Sequence, residues 1–531
     1  MFLDLRQIPD GTTLEADLCI VGAGAAGITI ARQFIGQPTT VLVVESGGLD
    51  PDDATQALYQ GAVVGRPYFD LDVTRLRYFG GSTNHWGGWC APLHDIDFEA
   101  RDWVPYSGWP IARGDLEPYY ATAHLLVEIG PPTYDPLIWQ DDKHHFPAFQ
   151  PERMVTQIMQ LSEPATHFGE RYRDDLARPD NVRVLLNANV LGIDSNAAAT
   201  HATGLRLATL SGVRANVRAK TIVVACGGLE SPRVLLLSND VVAAGLGNQN
   251  DLVGRFFMEH PHILTGSLFA TDLGNWHHGL SARFMKNGRL IQPVIATSPI
   301  AQREEGTLGY SANFETPVAL NAGYPAYRHI RDSIANHHLP DHVGRDIWDV
   351  VTDLEDVARG MFRATPDDPY HPPYDLSRPI RFYTRLEQCP NPDSRVKLTG
   401  EKDALGLSRI ALDWRLTELD KRSLRRSQEL IGAEFGRLGV GRFKLDDWVL
   451  ADDGSWPEDL HGGHHHMGTC RMSDDPKRGV VDRDCRVHGF DNLYVAGSAV
   501  YPTTGYVNPT LTVVALALRL ADHLKTKLGR T

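Results

Sequence analysis

The sequence predicts an α/β chain: a doubly wound parallel sheet assembled from separated segments, interleaved with a second domain built on an antiparallel β-sheet. Three observations predict it. A glycine-rich turn, Val21-Gly-Ala-Gly-Ala-Ala-Gly27, lies between a short apolar run and a helical run. Apolar runs that end in small-residue turns recur at 221–228 and 492–497, so residues far apart complete one sheet. Between 265 and 455 the texture changes to aromatic, Pro-rich and alternating stretches, as in antiparallel strands.

At 531 residues the chain is too long for one ordinary core, which makes two domains the expectation. A net charge of −14 argues against nucleic acid, whose phosphates require a basic face. The six cysteines show no CxxC spacing, so zinc and iron–sulfur sites are unsupported and free thiols in a reducing compartment are expected. The N-terminal residues carry acids and no long apolar run, and neither a signal peptide nor a spanning segment is read. The expectation is a cytoplasmic protein with no membrane segment, with export beside a partner subunit left open. The oligomeric state is open too.

The elements follow in order. Leu18–Val21 is a short buried strand, a helix begins at Ile28, and Val41–Val44 is the next parallel strand, ending at Glu45. In this strand–turn–helix–strand setting each glycine has a task. Gly22 permits the tight turn, Gly24 lets backbone approach a pyrophosphate at the helix N-terminus, and Gly27 lets helix and strand pack closely. Glu45 stands where an acid hydrogen-bonds ribose hydroxyls, which disfavours a 2′-phosphate. The domain is therefore Rossmann-like, and the motif alone does not separate NAD from FAD.

Asn181–Leu186 and Thr221–Ala225 read as further strands, the second ending in Cys226-Gly-Gly before a helix at Leu229–Leu237. Asn492–Gly497 is another strand, and Thr510–Leu528 is the closing helix. The expected dinucleotide domain comprises 1–95, 181–264 and 456–531, and the substrate domain 96–180 and 265–455. Within the latter, Arg395–Leu398 and Ser408–Trp414 read as a hairpin, and 330–375 as a helical excursion.

The chemistry concentrates near the C-terminus, in His464-His-His-Met-Gly-Thr-Cys-Arg-Met472 and Asn508-Pro-Thr-Leu-Thr512. A titratable imidazole beside a Gly-Thr turn, with a distant amide, suits proton-coupled chemistry on a hydroxyl. His461, His464, His465 and His466 also raise the question of a metal, but neighbours on an extended segment point to opposite faces, so none is expected.

These motifs, with the loop Gly80-Gly-Ser-Thr-Asn-His-Trp-Gly-Gly88, resemble the glucose–methanol–choline (GMC) oxidoreductases, flavoenzymes that oxidise alcohols and sugars. His85-Trp86 and Asn508 are similar to the pyranose-oxidase-like and fructose-dehydrogenase-like branch, although the extra cysteine triplet of the latter is missing. The resemblance implies FAD at the glycine loop, and His465 as the base that takes the hydroxyl proton as hydride passes to flavin N5. His464 and His466 remain alternative registers. Asn508 would hold the hydroxyl and stabilise developing charge.

The resemblance also implies an 8α-histidyl bond from His85 to FAD, with a packing contact from His85 and Trp86 as the alternative. Gly80, Gly81, Ser82, Asn84 and Gly87 would shape the loop around the cofactor. Gly22, Gly24, Ala25, Ala26 and Gly27 would meet the pyrophosphate, with Glu45 and Ser46 at the ribose and Val190 at the adenine. Ala225, Cys226 and Gly227 would line the cofactor. So would Gly497, Ser498, Pro509 and Thr510, with Ala499 and Val500 near the flavin pyrimidine or ribityl chain. Glu387 is the candidate substrate contact, in a polar segment with Gln388 and Arg395.

The expected reaction is oxidation of a secondary sugar or glycoside hydroxyl to a carbonyl. Reoxidation would be by oxygen, a quinone or a redox protein. The rivals are oxidation of an aryl or aliphatic alcohol, a non-redox lyase like the hydroxynitrile lyases, and a subunit that only holds flavin.

Overall fold

The computed structural model describes residues 1–142, 144–271, 273, 283–315, 326–327, 330–331, 343–352, 354, 357–358 and 379–529. One eight-stranded sheet runs in the order Phe2–Asp4, Val182–Leu186, Val41–Val44, Thr12–Val21, Arg214–Val224, Ala202–Ala208, Asn189–Ser195. Arg214–Val224 splits its pairing along one edge. Its first half pairs antiparallel with Ala202–Ala208, and its last residues pair parallel with Leu493–Val495. The strands Val41–Val44 and Leu493–Val495 are buried throughout, as a sheet covered on both faces requires. Helix Thr510–Leu528 packs against both Ala25–Arg32 and Glu117–Leu126.

The first strand is longer than the apolar run suggests. Thr12–Ala16 alternates between exposed and half-buried positions, and burial begins only further along. The helix starts at Ala25, because Gly27 already belongs to its first turn. A Cβ on Gly27 would stand 1.9 Å from the Gly22 carbonyl oxygen, so this position requires glycine.

A second eight-stranded sheet runs Gly441–Lys444, His262–Ala270, Ile380–Leu386, Tyr310–Glu315, Arg289–Thr297, Met154–Leu161, Trp89–Cys90, with Phe284–Lys286 on Arg289–Thr297. Its pairings are antiparallel. Helix Glu418–Arg437 covers one face, with Leu424, Leu430, Ile431 and Phe435 packed among Leu268, Phe314 and Phe382. The hairpin Arg395–Lys402 and Ser408–Asp413 belongs to neither large sheet. It pairs with Ala62–Val63 and packs Val396, Ile410, Leu412 and Trp414 on Phe257 and Leu460.

Segment 96–180 serves both halves. Its helix Glu117–Leu126 lies on the closing helix, while its strand Met154–Leu161 joins the antiparallel sheet. Of the helical excursion, Val343–Thr352 is a helix, and most of 330–375 lies outside the described residues.

Candidate active site

One cavity joins the two ends of the chain. Gly22, Gly24, Ala25, Ala26, Glu45 and Ser46 line one part of it, with Val190, Ala225, Cys226 and Gly227. Gly81, Ser82, His85, Trp86 and Gly87 line another, and His465, Gly497, Ser498, Asn508, Pro509 and Thr510 complete it. Three of the expected cofactor residues stand behind the wall. Gly27 packs on Gly22, Gly80 takes a φ of +101° and sits against Gly169, and Asn84 Nδ2 donates to the Phe79 carbonyl at 2.9 Å. Ala499 and Val500 are fully buried, and their carbonyls accept from the Cys470 and Met472 N–H groups. These five shape the site from behind.

The nucleotide end is open for a ligand by its own geometry. A Cβ on Gly24 would meet no protein atom within 4 Å, and Gly24 offers no side chain to cap the helix it starts. The first-turn N–H groups are therefore left for an anion. Glu45 is buried, and its carboxylate accepts from the N–H of Ala23 at 2.8 Å and of Gly47 at 2.9 Å. It fixes the turn and keeps acceptor capacity toward the cavity. A dinucleotide with its pyrophosphate at the helix and a ribose at Glu45 fits these residues.

At the other end His465 Nε2 lies 3.1 Å from Asn508 Nδ2, and its Nδ1 lies 2.9 Å from His260 Nδ1. The amide nitrogen can only donate, so Nε2 accepts and the proton of neutral His465 sits on Nδ1. That proton points to His260 Nδ1, which places the His260 proton on Nε2. His260 Nε2 makes no hydrogen bond of its own among the described residues, and the Thr504 and Gly505 backbone favours the charged ring against its burial. Burial, reinforced by the His260, His466 and Arg385 charges, holds His465 well below the usual histidine range. His465 is thus neutral near pH 7, with its basic lone pair on Nε2, facing Asn508.

Beneath the pair lies Glu259, fully buried. It accepts from the N–H groups of His260 and Gly463 at 3.0 Å and of His465 at 2.9 Å, and from the Tyr68 hydroxyl. Burial pushes its carboxyl up to about 7, against donors that favour the ionised form. Glu259 fixes the backbone on both sides of His464, whose φ of 59° turns the histidine run. The three histidines therefore diverge. The His464 ring stands edge-on to Phe69 at 4.7 Å, His466 Nε2 lies 3.0 Å from the Tyr68 hydroxyl, and His465 meets Asn508.

Sequence reasoning missed Glu259 and His260. The only signal is the string Met258-Glu-His-Pro-His262, which matches no spacing rule. His260→Ala is expected to slow flavin reduction by roughly tenfold, the worth of one hydrogen bond to the base. Flavin content should hold, and added imidazole should restore part of the rate in stopped-flow traces.

Glu387 requires a correction. Its carboxylate is fully buried, makes a two-pronged pair with Arg101 and accepts the Gly309 N–H at 2.8 Å. It lies outside the cavity wall and offers nothing to a substrate. Gln388 is likewise buried, bonded to Trp414 and the Glu259 N–H. Arg395 pairs with Asp251 at 3.1 Å.

The GMC oxidoreductase family model matches residues 390–517, the part that carries His465 and Asn508. Among curated relatives, 6'''-hydroxyparomomycin C oxidase of Streptomyces lividus is 26% identical over 96% of this chain and 92% of its own length. The fructose dehydrogenase large subunit of Gluconobacter japonicus is 22% identical over 96% of this chain and 98% of its own. Among solved structures, formate oxidase of Aspergillus oryzae superposes with a TM-score of 0.55 at 16% identity, covering 98% of this chain and 99% of that one. The pyridoxine 4-oxidase structure gives 0.54 at 17% identity, covering 96% and 99%. At these identities the solved structures speak for the fold alone.

Proposed function

We propose that this chain, which belongs to the GMC oxidoreductases, oxidises a secondary hydroxyl of a sugar or glycoside to a carbonyl, with His465 as base and Asn508 holding the hydroxyl. The observation that carries this reading is the 3.1 Å contact between His465 Nε2 and Asn508 Nδ2 in the wall of the cavity that begins at the Gly22–Gly27 turn. When bound, FAD supplies the two-electron acceptor for the hydride of the carbinol carbon.

The protein's own groups do the rest. The N-terminus of Ala25–Arg32 would hold the pyrophosphate and Glu45 a ribose, while Val190 would meet the adenine. Asn508 would orient the hydroxyl, and His465 Nε2 would take its proton because it is the unprotonated nitrogen. The positive charge then formed on His465 would be shared through Nδ1 with His260. Two relatives, paromamine 6'-oxidase and the fructose dehydrogenase large subunit, are named for sugar-like molecules, which supports a polyhydroxylated substrate. Among the described residues no helix is long and apolar enough to cross a membrane.

The test is an anaerobic screen of sugars, glycosides and simple alcohols for bleaching of the flavin. Bleaching by sugars or glycosides supports the reading. Bleaching only by aryl or aliphatic alcohols would move the substrate class, and conversion without bleaching would point to a lyase. Mixing the reduced enzyme with oxygen, a quinone or a ferric protein then identifies the acceptor.

His85 is open to the cavity, its ring 6.4 Å from that of His464. Desolvation in the cavity wall, with the His464 and His167 charges, holds it down to about 4, so its ring is a neutral nucleophile. This suits an 8α-histidyl bond. After acid precipitation the yellow colour should stay with the protein, and His85→Ala should release it to the supernatant. A colourless pellet from the unaltered protein would reduce His85 to a packing contact.

A further inference from the structure

The strand Ile380–Leu386 alternates strictly. Phe382, Thr384 and Leu386 are buried on one face, while Arg381, Tyr383 and Arg385 are half-buried on the other. Arg381 has a carboxylate partner, with its nitrogens 2.8 and 2.9 Å from the Asp446 oxygens. Arg385 has none among the described residues. Its one side-chain hydrogen bond runs from Nη1 to the neutral Asn313 Oδ1 at 2.8 Å. Arg101, fully buried nearby, is by contrast matched by Glu387.

Arg385 stands beside the cavity wall without lining it, and meets it through Trp89. It is the register partner of His262, whose ring lies 5.9 Å from that of His465. Its guanidinium carbon lies 4.6 Å from the ring centroid of Trp89, which lines the same cavity as His465 and Asn508. A second cation, Arg283, lies 5.1 Å from that same ring and makes no ion pair among the described residues. Burial, with the repulsion of Arg283, pushes Arg385 down to about 10. Arg283 is exposed and feels the Glu163 charge, whereas the half-buried Arg385 has no acid beside it among the described residues. Glu259 already accepts from Tyr68 and three backbone N–H groups, and Glu387 is paired with Arg101.

We infer that Arg385, with Arg283 beside it, is an oxyanion subsite, and that the hydroxyl oxidised at His465 belongs to a substrate that also carries a carboxylate or phosphate, a sugar acid being the simplest case. The planar fork of Arg385 matches such a group in a two-pronged geometry, and the Asn313 bond leaves nitrogens on its other edge for it. A cationic substrate would meet these charges unfavourably. The inference rests on the proposed alcohol oxidation and adds to it where the anion sits.

The test compares D-gluconate, D-glucuronate and D-glucose 6-phosphate with D-glucose as reductants of the holoenzyme, and titrates the holoenzyme calorimetrically with malonate, which has no hydroxyl. An anionic sugar should exceed glucose by about 10- to 100-fold in kcat/KM, the worth of a charge-assisted hydrogen bond. The carboxylate and phosphate arms identify which anion is taken. Arg385→Gln should remove that advantage through KM and abolish malonate binding, and Arg385→Lys should restore part of both. Equal rates on glucose and the sugar acids, or equal losses on all of them in Arg385→Gln, would overturn the subsite and leave alcohol oxidation standing. If no sugar bleaches the flavin but malonate binding still depends on Arg385, the sugar reading fails and the anion site survives.

Discussion

His465→Ala should slow reduction of the bound flavin by about 10²–10⁴-fold, the usual worth of a positioned general base, with flavin content unchanged. Stopped-flow reduction under anaerobic conditions reads this directly. Retention of flavin is part of the expectation, because the groups that would hold the dinucleotide are the Ala25 helix end and Glu45. The pH dependence adds a second mark. A base works when unprotonated, and burial together with the His260, His466 and Arg385 charges holds His465 well below 6.5. The rate should therefore hold as pH falls from about 7 to about 6, where an ordinary exposed histidine would already lose activity. Unimpaired reduction in the variant would end the assignment.

Glu230→Ala should destabilise the protein by about 3–5 kcal/mol, because it removes the acid from a buried cluster of cations. Glu230 meets Arg75 at 3.3 Å, Arg77 at 3.2 Å and Arg233 at 2.9 Å, all with side chains at most 7% exposed. Burial raises its carboxyl, but the Arg233, Arg77 and Arg75 charges outweigh this and bring it down to about 2. Its folded pKa is thus below the unfolded value. The stabilisation is full above about 4.5 and is lost as pH falls through about 2. The buried histidines act earlier. His94 and His260 are held down to about 4 by burial, so their neutral forms cost stability as pH falls from about 6.5 toward 4. Thermal unfolding at several pH values separates the two, since Glu230→Ala should flatten only the lower limb. Arg75 and Arg77 lie on the loop that continues to His85, so the variant should also load less flavin.

The parts legible in the sequence are those whose signal is local. Helix Thr510–Leu528 is read to its ends because nineteen residues keep a helical pattern, and Val41–Val44 because a fully buried strand is an unbroken apolar run. His465 and Asn508 are legible as candidates because short motifs carry them. What depends on a distant partner is not legible. His260 acquires its place only by meeting a ring 205 residues away, and Glu387 looks available until Arg101, 286 residues earlier, is seen on it. The same holds for Arg385, whose meaning lies in having no acid beside it among the described residues, a fact no string of letters records. The hairpin Arg395–Asp413 was readable as a pairing, but its membership in a small third sheet depends on Ala62–Val63.

The parallel sheet takes its last strand, Leu493–Val495, from the final tenth of the chain, and that strand inserts beside residues 222–224. During synthesis the ribosome would release most of the polypeptide before this sheet could close, and Asn508 emerges later still. The nascent chain must therefore carry apolar strand edges unpaired for most of its translation, a state that favours chaperone capture and aggregation. Loss of even the closing helix should consequently yield insoluble chain in place of a weaker enzyme.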